Sequence, residues 1–71
     1  MEAHFYDSDN HQIAIVEINV RPDTFSKRSG AVQKKLDGLV KDYPTATLVT
    51  IERERYLIED GVTRFNGFFD G

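Results

Sequence analysis

Ile13-Ala14-Ile15-Val16-Glu17-Ile18-Asn19-Val20 is the stretch on which the architecture turns. It is dense in β-branched residues, and a period of two places Ala14, Val16, Ile18 and Val20 on one face, the pattern of a half-buried strand. Upstream, His4-Phe5-Tyr6 is set off from it by Asp7-Ser8-Asp9-Asn10, turn formers whose short side chains bond back to the nearby backbone. The two apolar runs and the turn between them predict an N-terminal hairpin. Downstream, Arg21-Pro22-Asp23 ends the strand, because proline lacks the donor that a ladder needs, and Asp23 is a suitable helix N-cap.

A helix is predicted next. At 100° per residue, Phe25, Val32, Leu36, Leu39, Val40 and Tyr43 fall within a narrow arc, with Lys27, Lys34 and Lys41 opposite, and Pro44 closes the segment. Gly30 weakens its middle by about 1 kcal/mol relative to alanine. A second start at the Ser29 cap, with Lys27-Arg28-Ser29-Gly30 as a loop, therefore remains open beside the start at Asp23.

After Pro44, Thr45-Ala46-Thr47-Leu48-Val49-Thr50-Ile51 has strand composition, and Glu52-Arg53-Glu54-Arg55 continues it with both signs of charge. Tyr56-Leu57-Ile58 either extends this strand through a bend or begins another. Glu59-Asp60-Gly61 then signals a hairpin turn, and Val62-Thr63-Arg64-Phe65 returns. The expected fold is α+β in the order ββαββ, a single domain over residues 1–71. One amphipathic helix packs on one face of a mostly antiparallel four-stranded sheet, because a lone helix cannot cover both faces. The other face is expected to be polar or covered by a partner.

Length and composition narrow the chemistry. A chain of 71 residues buries only about 60% of its unfolded surface, so added stability must come from staples or association, and a homodimer is one expectation. With no cysteine there is no disulfide, thiolate nucleophile, thiolate zinc site or iron–sulfur cluster, and a cytoplasmic setting is expected. Met1-Glu2-Ala3-His4 lacks the basic start of a signal peptide, and no apolar run approaches the roughly 20 residues that span a bilayer.

Candidate chemistry is sparse. Asp7, Asp9 and His11 alternate as cation ligands would, with Ser8 and His4 nearby. A calcium loop also needs a central glycine and a distant bidentate glutamate, where this chain has Gln12 and Ile18, so turn preference accounts for the cluster and no metal site is assigned. Groups drawn from one exposed turn do not converge as a hydrolytic site requires, and no glycine-rich phosphate loop is present; neither catalysis nor a cofactor is expected.

Two surfaces remain. Lys27, Arg28, Lys34, Lys35 and Lys41 make the helix locally basic, enough to meet phosphates, although a charged face also serves solubility and the net charge is −3. The other surface comprises Glu52, Arg53, Glu54, Arg55, Glu59 and Asp60 with the terminal Phe68 and Phe69. Alternation along 52–55 puts both glutamates on one face and both arginines on the other, which suggests a strand that projects past the core with an unpaired edge open to β-augmentation or dimerisation. The expected function is a small non-catalytic protein-binding module. In concrete form it is an inhibitor or regulator of a nucleic-acid-processing complex, as phage and mobile-element counter-defence proteins are. Direct nucleic-acid binding through the lysine-rich helix is the alternative.

Overall fold

A computed structural model describes residues 2–19 and 25–68, with the helix side chains given from residue 30 onward. The order is β1 (Glu2–Asp7), β2 (Gln12–Glu17), α1 (Phe25–Leu39), a 3₁₀ turn (Val40–Asp42), β3 (Ala46–Ile51), β4 (Glu54–Glu59) and β5 (Val62–Phe68). The fold is thus α+β with one helix, as expected, but the sheet has five strands, in the spatial order β2-β1-β3-β4-β5 with every neighbouring pair antiparallel. The Arg21-Pro22 stop, the Asp23 cap and Phe69 lie outside the described residues.

The fifth strand arises where one long charged strand was expected. Glu52-Arg53 forms a two-residue turn, with Ile51 opposite Glu54 and Glu52 in the left-handed region at φ 55°. Left-handed backbone costs a residue with a Cβ roughly 1–2 kcal/mol. The turn resolves the conflict that alternation poses, because it lifts one glutamate and one arginine into solvent and lets the chain start again in register. The expected projecting strand with an open edge is therefore absent: β4 lies inside the sheet, between β3 and β5. At the other end of β4, Asp60 (φ 53°) and Gly61 (φ 77°) are both left-handed, which suits the right-handed twist of a hairpin.

Helix α1 runs unbroken through Gly30, so the loop over 27–30 does not form. Val32, Leu36 and Val40, spaced by four, are buried against Ala3, Phe5, Val49, Ile51 and Tyr56 from the sheet, with Ile18 and Ala46 completing the core. Ala14 and Val16 pack on the same side and Ile18 is buried there, as the alternation predicts, although the strand ends at Glu17 and Val20 lies outside the described residues. Tyr43 stacks on Phe5 with ring centroids 4.9 Å apart.

The helix also grips the sheet through polar groups. Asp37 Oδ1 accepts from the Thr63 backbone N–H at 2.8 Å and from the Thr63 hydroxyl at 2.8 Å, while Gln33 Nε2 donates to the Thr63 carbonyl at 3.2 Å. Thr63 lies on an edge strand, so the helix supplies the partners that a sixth strand would have supplied.

Leu36 sits at the centre of the apolar contact and is fully buried, whereas Lys34 is exposed. Leu36→Ala is expected to cost about 2–5 kcal/mol in urea unfolding and Lys34→Ala almost nothing; equal small effects would mean that another helix face is buried. Asp37→Ala leaves the buried Thr63 N–H without its acceptor and is expected to cost about 1–3 kcal/mol, with faster hydrogen exchange at Thr63 than in the unaltered chain.

Candidate functional site

The helix covers one face of the sheet, and the register identifies what the other face carries. His4, Thr50 and Arg55 form one cross-strand row and Tyr6, Leu48, Leu57 and Arg64 the next. These residues alternate with the core positions Ala3, Phe5, Val49, Ile51 and Tyr56, and so point away from α1. Tyr6, Leu48, Thr50 and Arg55 line a shallow open cavity of about 240 Å³ together with Asn10. The Arg55 Nε is buried and has no hydrogen-bond partner among the described residues, an orphan donor at the edge of an apolar surface. At the β1 side, His4 Nδ1 lies 2.9 Å from Gln12 Oε1 and His4 Nε2 lies 3.4 Å from Glu2 Oε1.

The residues expected to bind a partner do not form one surface. Glu52 and Arg53 are exposed at the β3–β4 turn, and Glu59 and Asp60 are exposed at the opposite end of β4. Glu54 is a core residue, 2% exposed on the helix side, where its Oε1 accepts from the Tyr56 hydroxyl at 3.0 Å. A side chain so placed is not a surface contact, which corrects the reading of Glu54. Arg55 alone of the six reaches the uncovered face. Phe65 packs edge-on against Tyr56 at 5.6 Å and against Phe68 at 5.3 Å, a short aromatic row that runs from the core to the surface. Phe68 ends that row 61% exposed.

On the helix, Lys34, Lys35 and Lys41 are exposed as expected, and the first two share a groove with Ala31 and Gly38. The side chains of Lys27 and Arg28 lie outside the described residues. The lysine surface and the uncovered sheet face therefore occupy different sides of the molecule, separated by the sheet itself.

Asp7, Asp9 and His11 do converge, with one potential ligand atom from each lying within 4.8 Å of the others. The local backbone already uses this cluster: Asp7 Oδ1 accepts from the Asp9 N–H and the His11 N–H, both at 2.9 Å, and Asn10 takes the left-handed conformation at φ 62°. Asparagine and aspartate favour such turns because their side chains bond to the adjacent backbone. Asp7→Ala is expected to destabilise the chain by about 1–3 kcal/mol through the two lost acceptor contacts, equally in calcium and in EDTA. A loss of stability seen only with calcium present would instead assign a metal role to the turn.

Comparison with known protein families, with curated proteins and with solved structures finds no match to this chain. Among the described residues, no helix is long and apolar enough to cross a membrane. Sequence reasoning missed the sheet face because Tyr6, Leu48 and Leu57 come from three separate strands. Only the strand register brings them into one row.

Proposed function

We propose that the chain is a small non-catalytic protein-binding module that uses the uncovered face of its sheet. Its contact surface is Tyr6, Leu48 and Leu57, flanked by Arg55 and Arg64. Arg55 carries the reading: the residue is half-buried and lines the cavity with Tyr6, Leu48 and Thr50, with its Nε unmatched. Desolvating a donor without pairing it costs about 1–3 kcal/mol, which an acceptor brought by a partner would offset. The partner surface that fits is apolar with acidic side chains set among the apolar ones, since two arginines border the patch and charge complementarity fixes orientation and excludes wrong partners. In its most concrete form the module is an inhibitor or regulator of a nucleic-acid-processing complex, of the kind that phages and mobile elements use against host defences.

Direct nucleic-acid binding is the second reading. It is favoured by Lys34 and Lys35 beside Ala31 and Gly38, small residues that let a phosphate backbone approach the helix. Capture from a lysate of the source or its host, with and without nuclease, separates the two. The sheet-face reading predicts a stoichiometric protein that survives nuclease, is lost with Leu57→Asp or Arg55→Glu, and is retained by Lys34→Glu plus Lys35→Glu. Recovery that vanishes with nuclease and with the lysine variant, but not with Leu57→Asp, transfers the function to the helix.

A further inference from the structure

The two edges of the sheet are finished in different ways. At β5, Gln33 and Asp37 from the helix occupy the outward groups of Thr63. Such devices stop an edge from templating another strand. At β2, Gln12-Ile13-Ala14-Ile15-Val16-Glu17, there is no proline and no lysine, the only charge is at the last position, and the register against β1 shifts once, at Ile13, between the Phe5–Ala14 and Tyr6–Gln12 pairs. Among the described residues no strand pairs with its outer side. Ile13 (38% exposed) and Ile15 (51% exposed) are two of the four exposed large apolar residues of the described chain, and both lie in this strand. A β-branched edge strand whose only charge stands at its end is a template for another chain.

We infer that β2 is a dimerisation edge, pairing antiparallel with β2 of a second copy so that two five-stranded sheets join into one of ten strands. The strand's own sequence selects the second copy as occupant. A two-fold axis through Ala14, normal to the sheet, sets Ile13 opposite Ile15 of the second copy and Ile15 opposite its Ile13, which covers both exposed isoleucines in cross-strand pairs. The same register carries the two Glu17 residues to opposite ends of the seam. Moving the axis to Ile15 would place Ile13 against a glutamate, and a parallel alignment would bring the glutamates together. On the helix side, the groove of about 370 Å³ bordered by Val16, Glu17, Lys35 and Gly38 is open beside this edge. The pairing uses backbone groups that the proposed partner face does not, so either surface can operate without the other.

The test is the solution mass by light scattering at NMR concentrations for the unaltered chain, Ile15→Lys and Leu57→Lys, with circular dichroism on each. The inference predicts twice the 8.1 kDa chain mass for the unaltered protein and for Leu57→Lys, and the single-chain mass for Ile15→Lys. A single-chain mass for the unaltered protein overturns it. So does a dimer that Leu57→Lys breaks and Ile15→Lys does not. Should Ile15→Lys lose its folded spectrum, hydrogen exchange on the unaltered chain decides. Protection over 13–16 that falls on dilution, while β1 and β3 stay protected, supports the seam; rates that do not depend on concentration overturn it.

Discussion

One helix lies against five strands, and the rest of the structure follows from that imbalance. Val32, Leu36 and Val40 fill one side of the sheet with Phe5, Val49, Ile51 and Tyr56, and no second layer is present among the described residues to do the same on the other side. In a chain of this size the hydrophobic contribution from one such layer is modest, and few residues can be spared for surface alone. Tyr6, Leu48 and Leu57 on the uncovered side are accordingly the chemically informative residues, because the fold does not need them there for its own core.

The helix is held by two kinds of contact that act in different directions. Apolar packing sets how close α1 sits to the sheet but is tolerant of sliding. The Asp37 and Gln33 contacts to Thr63 are directional, and they fix α1 against β5 at one end of the sheet. That choice leaves β2, at the far end, without the same protection. The contrast between a gripped edge and an open one is thus a consequence of where a single helix can reach.

Much of the fold was legible because periodicity reports it directly. Alternation of Ala14, Val16 and Ile18 reports the core face of the strand, which ends at Glu17, and the four-residue spacing of Val32, Leu36 and Val40 reports the helix and its buried side. The strand count was not legible, since Glu52-Arg53 carries neither glycine nor asparagine and local sequence gives no sign that this pair turns the chain. Burial of Glu54 was hidden for a related reason: a charged residue reads as exposed until tertiary neighbours such as the Tyr56 hydroxyl are known. Asp37 and Gln33 bond to a strand, which the helical period alone does not reveal. Of the candidate sites, the exposure of Lys34, Lys35 and Lys41 could be read from the helical period, whereas the sheet face required the register of three strands that are distant in sequence.

The central claim is that function resides on the face the helix leaves bare. Chemical-shift mapping tests it most directly, with isotope-labelled protein titrated by the partner recovered from the lysate. The account predicts that the largest changes fall on Tyr6, Leu48, Thr50, Arg55 and Leu57, with α1 little affected. Changes concentrated on Lys34, Lys35 and Lys41, with the sheet resonances unmoved, would contradict it.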